Sequence, residues 1–212
     1  MKQIYFVRHG QTEWNAISRM QGQMDSVLTP LGREQAATHA SLLASFDIQA
    51  IFSSPLDRAR QTAEIIRQRV DTAIQYDARI MEWDCGDWSG YLYEDVKAKW
   101  PEEWAALEAD RFHYRGPGCE NYPDMIERAM PFVQELIRVP ADNVAIVSHG
   151  MIGRVMIGIL MEFSEAEMLD FAHPNDVVYR LRLPVPTQEG RDRELHHYRA
   201  AEGPFEGTVE RW

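Results

Sequence analysis

At 212 residues the chain is long enough to bury a core without disulfides or metal, and one domain is the default expectation. Hydrophobic residues make up 45% and charged residues 26%, near the globular average, which argues against disordered and fibrous classes. Lys plus Arg is 22 against 33 for Asp plus Glu, a formal charge of −11 that repels nucleic acid and anionic membrane, so a site for an anionic small molecule must concentrate its own arginines.

Ile4 to Val7 is a short apolar run that stops at Arg8-His9-Gly10, the form of a strand buried on both faces and ending in a functional turn, after which a helix is expected. Thr29-Pro30 places a capping residue and then a first-turn proline ahead of Ala36, Ala37, Ala40, Leu42 and Leu43, predicting a helix that ends near Ser45. Ala50-Ile51-Phe52 reads as a second strand stopping at Ser53-Ser54-Pro55, followed by a helical pattern through Ala59, Ala63, Ile65 and Ile66. Trp83 to Tyr122 holds four of the six tryptophans and reads either as a cap over a site or as a helical subcluster with its own small core. Val144 to Val147 runs into Ser148-His149-Gly150, and Met151 to Met161 is apolar enough for a buried helix. Val177 to Leu183 and Glu194 to Arg199 then look like a hairpin turning near Gln188-Glu189-Gly190.

This alternation predicts an α/β fold of three layers. A mostly parallel central sheet carries helices on both faces, with an antiparallel edge strand from the hairpin. The expected organisation is a single domain over 1–212 with an aromatic-rich cap insertion at about 83–122. Cys85 and Cys119 have no metal-ligand spacing and suit a reducing compartment. Met1 to Val7 is too short for a signal-peptide core, and no apolar run approaches membrane-spanning length, so a cytoplasmic location is expected.

Two strand-ending turns share the form polar residue, His, Gly. In parallel α/β sheets the carboxyl ends of strands line the ligand crevice, so His9 and His149 should project to one edge of the sheet. Arg8 belongs to the first turn, and Arg58 and Arg60 follow Ser54-Pro55 near the start of a helix. A guanidinium is a planar fork of donors matched to phosphate oxygens, so two arginines with two histidines describe an oxyanion pocket. Arg58 and Arg60 are two apart, so at most one points inward; the choice of Arg58 rests partly on the resemblance that follows.

Arg8-His9-Gly10-Gln11-Thr12-Glu13-Trp14-Asn15 resembles the signature of the histidine phosphatase superfamily, which includes cofactor-dependent phosphoglycerate mutases. The likeness continues in order through Gln21-Gly22-Gln23, Leu28-Thr29 with Gly32, Ser53-Ser54-Pro55-Leu56 with Arg58-Ala59 and Gln61-Thr62-Ala63, Glu82 with Gly86, Trp88 and Gly90, Pro117-Gly118 with Glu120, and Ser148-His149-Gly150. It implies a phosphoglycerate mutase-like fold and a metal-independent phosphatase acting on a small-molecule phosphomonoester, with no cofactor. His9 attacks phosphorus to give a phosphohistidine; Arg8, Arg58 and a protonated His149 hold the equatorial oxygens; Glu82 protonates the leaving oxygen and then activates water. Asn15 and Gln21 correspond to positions that bond phosphate or substrate and Gln23 to one at the pocket mouth, while Gly150 offers a backbone N–H at a helix start.

Other assignments are plainer. Arg154 is read as structural, and His113, His173, His196 and His197 as surface or strand residues. Gln11, Cys119 and Asn121 depart from the residues common in the family, which puts in doubt any transfer of a relative's substrate preference. Phosphoglycerate mutase-type transfer and a non-catalytic binding protein on the same fold are the alternatives to hydrolysis. A serine hydrolase using Ser148 lacks the nucleophile-elbow glycines. The expected partner is a small phosphate ester, not nucleic acid or membrane, and a homodimer is left open.

Overall fold

The computed structural model describes residues 2–183 together with the main chain of the strands at 194–199 and 208–211. Among these residues one sheet has seven strands in the order β3-β2-β4-β1-β5-β6-β7. They are β1 (Lys2–Arg8), β2 (Ala50–Ser53), β3 (Ile74–Tyr76), β4 (Asn143–Ser148), β5 (Val177–Leu183), β6 (Glu194–Arg199) and β7 (Thr208–Arg211). The first four run parallel, and β5 turns antiparallel to β1. The predicted hairpin pairs β5 with β6 from Val177 opposite Arg199 to Arg182 opposite Glu194, and β7 adds a further antiparallel strand, so that edge is three strands wide where the sequence pattern predicts the two of the hairpin. Its turn at Gln188-Glu189-Gly190, like the side chains of His196 and His197, lies outside the described residues.

The central strands are buried on both faces, and their alternation sorts side chains into two cores. Ile4 and Phe6 of β1 point with Val144 and Ile146 of β4 toward α6 (Tyr122–Leu136) and α7 (Gly150–Met161). Tyr5 and Val7 point the other way, with Ile51, Ala145 and Val147, toward α2 (Pro30–Leu43) and α3 (Asp57–Val70). This is the three-layer arrangement that the sequence pattern predicts. A third cluster forms around Met20, Cys85, Trp88, Val96 and Cys119, covered by Trp83, Trp100 and Trp104, in the aromatic stretch that carries α4 (Tyr93–Lys99) and α5 (Pro101–Ala109).

The helix expected directly after β1 is only one turn, α1 (Glu13–Ala16). Thr12 and Asn15 close it with a reciprocal capping box, and Ser18 at φ 56° breaks it. The next long helix is α2, with Thr29 Oγ1 accepting from the Gly32 N–H at 3.0 Å. The intervening loop is thereby left to line the carboxyl edge of the sheet. It is pinned where two glycine backbones cross: a Cβ on Gly10 would sit 2.1 Å from the Gly32 carbonyl oxygen, and one on Gly32 would sit 2.0 Å from that of Gln11. Only main chain without side chains fits at that approach. Gly32→Ala should therefore lower stability by about 1–3 kcal/mol or more, the cost of overpacking against a backbone that cannot give way. Denaturant titration of the variant measures this, and an unchanged midpoint would contradict the packing described.

Candidate active site

The site is assembled by strand register. Parallel pairing sets Val7 opposite Val147 and Arg8 opposite Ser148, and the His9 N–H donates to the Ser148 carbonyl at 2.9 Å. On the other side of β4, Ser53 lies opposite Val147 and the Ser54 N–H bonds the Val147 carbonyl. Three strands thus end level, and the turns after them place Arg8, His9, Arg58 and His149 together. The two imidazole rings lie 5.2 Å apart, centroid to centroid.

His9 is 2% exposed and its tautomer follows from its neighbours. Nδ1 lies 2.8 Å from the Gly10 carbonyl oxygen, which can only accept, so Nδ1 carries the hydrogen. Arg58 Nε, which can only donate, lies 3.3 Å from Nε2, so Nε2 presents its lone pair. Burial first, then Arg58 and Arg8, hold this histidine well below its ordinary pKa, so the ring is neutral.

Arg58, 1% exposed at the start of α3, is the most heavily anchored side chain of the site. Nη1 donates to the Met24 carbonyl and to Asp25 Oδ1, both at 2.7 Å, and Nη2 to the Gly22 carbonyl at 2.7 Å. A buried cation is costly unless paired and fully bonded, and Asp25 with the loop carbonyls meets that requirement. Asp25 also accepts from the N–H groups of Asp57 and Arg58, supplying the cap that α3 lacks. Arg60 faces outward over Tyr76, as the two-residue spacing requires.

Arg8 donates through Nη1 to the His173 carbonyl, while its buried Nε has no partner within the protein. Gly150 makes room for it: a Cβ there would stand 3.1 Å from the Arg8 guanidinium carbon. Glu82 is held by main chain, its Oε1 accepting from the N–H groups of Trp83 (2.9 Å) and Ile152 (3.1 Å) and its Oε2 from that of Met151 (3.3 Å). The last two belong to the first turn of α7, where a carboxylate is favoured by the helix dipole. Arg128 fixes the same segment, bonding the carbonyls of Arg79, Met81 and Glu82 while paired through two 2.7 Å bonds with Glu120.

Arg8, His9, Arg58, Glu82 and Gly150 line one cavity of about 470 Å³, joined by Asn15 and Gln21. Asn15 spends Oδ1 on its capping box, leaving the amide NH2 for the cavity. Gln21 Oε1 accepts from Ser26. Gln23 stands outside the lining, because its amide is turned to the Glu82 carbonyl at 3.3 Å. His149 is fully buried beside His9, with Nε2 2.7 Å from Ser54 Oγ and Nδ1 unpartnered. The expectation of a protonated His149 does not fit the substrate-free site: burial, then Arg58, His9 and Arg8, push its pKa well down.

Two further expectations change. His173 is neither a surface nor a strand residue; it is 3% exposed on the cavity wall, with its pKa pushed down to about 3 by burial and by Arg8. Arg154 also reaches that wall. Arg154 stands on the helix that the Ser148-His149-Gly150 turn opens, whereas no motif announces His173. The signal for His173 is directional: β5 is antiparallel to β1, so the loop entering it, His173-Pro174-Asn175, arrives at the edge where β1 ends. Asn175 there donates to the His9 carbonyl at 2.6 Å. Of the departing residues, Gln11 accepts from Thr29 at the cap of α2 and Asn121 caps α6, so neither side chain lines this cavity. Ser148 Oγ is buried with no partner and therefore no base, which removes the serine-hydrolase option. Among the described residues no cluster of three or more His, Cys, Asp or Glu could hold a metal ion.

Known proteins resemble the chain in sequence and fold. Glucosyl-3-phosphoglycerate phosphatase of Mycolicibacterium vanbaalenii is 37% identical over 158 residues, covering 71% of this chain and 70% of that protein. Phosphoserine phosphatase 1 of Hydrogenobacter thermophilus is 31% identical, covering 82% of this chain and 83% of its own. The solved structure of mycobacterial glucosyl-3-phosphoglycerate phosphatase complexed with VO3 superposes with a TM-score of 0.77 at 30% identity, over 86% of this chain and 91% of that one. The family model of the histidine phosphatase superfamily (branch 1) matches residues 4–190, and the chain belongs to that superfamily.

Proposed function

We propose that the chain is a phosphatase that hydrolyses a small-molecule phosphomonoester through a phosphohistidine on His9. The observation that carries this reading is the neutral, oriented His9, whose Nε2 lone pair stands beside Arg58 in a cavity shared with Arg8 and Glu82. Nε2 attacks phosphorus as the ester oxygen departs, and the charge on the remaining oxygens is held by Arg8 and Arg58. His149 lies behind them, fully buried and off the cavity lining: Leu56 N–H already bonds Ser54 Oγ, so the hydroxyl hydrogen is free for Nε2 and the ring proton stays on the unpartnered Nδ1. Glu82, whose protonated form is favoured once a phosphate dianion lies beside it, gives a proton to the leaving oxygen, then takes one from the water that attacks the phosphohistidine and releases inorganic phosphate. These cations and the helix start at Gly150 supply the electrostatics without a metal.

Phosphoglycerate mutases are also among the similar proteins, while the phosphatase names of the relatives described above support hydrolysis. So does the wall of the cavity, where Trp83, Tyr93 and Met151 face the phosphate-binding groups. We read residues 83–122 as a cap that selects the leaving group of a cytoplasmic substrate, and the charge of −11 argues against nucleic-acid or membrane partners.

A panel of phosphomonoesters assayed in EDTA should show phosphate release, abolished in His9→Ala with the fold intact by circular dichroism. Strict dependence on magnesium, or isomerisation of 3-phosphoglycerate with 2,3-bisphosphoglycerate outpacing phosphate release, would count against the proposal. Glu82→Gln should lose about 10²–10⁴-fold in kcat on alkyl phosphates, the usual worth of general acid catalysis. The loss should be smaller on an aryl phosphate, whose oxygen leaves without a proton. The buried neutral histidines have a thermodynamic consequence. His9, His39, His149 and His173 all lie below the ordinary value of 6.5 when folded, so the unfolded chain binds the extra protons. Stability present above about pH 6.5 should be lost as pH falls from there toward the folded values, by up to about 1.4 kcal/mol per pH unit for each histidine. A flat profile of unfolding free energy between pH 7 and 5 would contradict it.

A further inference from the structure

The ring nitrogen of His9 opposite its lone pair donates to the Gly10 carbonyl at 2.8 Å, so the aim and electron density of Nε2 depend on one peptide unit. That unit joins Gly10 to Gln11, and its N–H is the N–H of Gln11. The N–H donates to Gln35 Oε1 at 2.9 Å. A single amide therefore links Gln35 on one side to His9 on the other, with the Nε2 lone pair at the far end.

Gly32 makes this reach possible. Its backbone passes so close to Gln11 that a Cβ would stand 2.8 Å from the Gln11 nitrogen, and Gln35 follows three residues later on the same face of α2. The other end of the Gln35 amide makes no hydrogen bond among the described residues. The peptide unit before this one is held differently: the Gly10 N–H donates to Thr62 Oγ1 at 3.1 Å, and Asn175 bonds the His9 carbonyl. Those two bonds place the turn, but neither lies on the amide that receives the Nδ1 hydrogen.

An amide whose N–H is engaged is a better acceptor at its oxygen, because hydrogen bonds in series polarise one another. A better acceptor draws harder on the Nδ1 hydrogen and leaves more electron density on Nε2. The sense of this influence shows in His9 itself: burial, then Arg58 and Arg8, lower its pKa, and the bond to Gly10 raises it.

We infer that Gln35 is a positioning residue for the nucleophile, fixing the amide between Gly10 and Gln11 and strengthening it as the acceptor of the His9 Nδ1 hydrogen. The kinetic consequence rests on the phosphohistidine reading. Nε2 is the nucleophile when the ester is cleaved and the leaving group when the phosphohistidine is hydrolysed. A change in its basicity therefore moves the two steps in opposite directions, whereas a loosened turn slows both.

Rapid mixing with radiolabelled 4-nitrophenyl phosphate separates the steps, since nitrophenolate release reports phosphorylation and loss of protein-bound label reports hydrolysis. Gln35→Leu should phosphorylate about two- to tenfold more slowly, the worth of one neutral hydrogen bond, with no slowing of phosphohistidine hydrolysis. Gln35→Glu, a charged acceptor of the same size, should phosphorylate at least as fast as wild type. Nuclear magnetic resonance supplies a readout without turnover: the His9 Nδ1 proton should move upfield in Gln35→Leu and downfield of wild type in Gln35→Glu. If Gln35→Leu fails to fold by circular dichroism, the proton shift in Gln35→Glu decides alone. Equal slowing of both steps in Gln35→Leu, or an Nδ1 proton that does not move, would overturn the inference. A wild type that never carries label would instead remove the phosphohistidine reading, and the proton shifts would still decide whether Gln35 acts on His9.

Discussion

The parallel pairing of β1 with β4 is the constraint on which the site depends. With Arg8 opposite Ser148, His9 and His149 emerge at the same height, and β2, paired to the far side of β4, delivers the turn that leads to Arg58. A slip of one residue would send Ile4 and Phe6 to the face now filled by Tyr5 and Val7 and would separate the histidines. The register is defended by apolar side chains buried on both faces, so the same burial that stabilises the sheet sets the distances between the groups of the proposed site.

Electrostatics then explains how an acidic chain can hold an anion. The carboxylates that meet the site are already occupied: Asp25 by Arg58 and the start of α3, Glu82 by the start of α7, and Glu120 by Arg128. What faces the cavity is the unspent donor capacity of arginines and a neutral imidazole. Burial matters here in two ways. It lowers the pKa of His9, as the proposed nucleophile requires, and it keeps water from screening the guanidinium groups that the proposal sets against the phosphoryl oxygens. The acid sensitivity expected of the fold would come from the same source as the proposed chemistry.

Much of this is legible in the order of the amino acids. The duplicated turns at His9 and His149 stand out because strand endings have a compositional edge, apolar to polar, and because a repeat of the same device is informative. That only one of Arg58 and Arg60 faces the site follows from helical spacing. What stays hidden depends on contacts between distant segments. Nothing in the surroundings of Glu82 announces that its carboxylate sits on α7, or that Arg128, forty-six residues away, holds its carbonyl. His173 and Asn175 enter only because β5 runs antiparallel, and strand direction is not written in an apolar run. Gln23 departs from expectation for the opposite reason, since its position in the loop suggests the cavity while its amide finds a main-chain carbonyl first. The aromatic stretch allows two readings, and the structure contains elements of both: a small core around Trp88 and a wall made by Trp83 and Tyr93.

The central claim is that His9, made neutral and aimed by Gly10 and Arg58, becomes covalently phosphorylated. Rapid mixing with an ester carrying radiolabelled phosphate, quenching in base and mapping of the labelled peptide tests this directly. The account predicts a label that is stable in alkali, labile in acid and confined to the peptide containing His9. Label on His149 or on a hydroxyl residue, or a full turnover with no protein-bound label at any time, would contradict it.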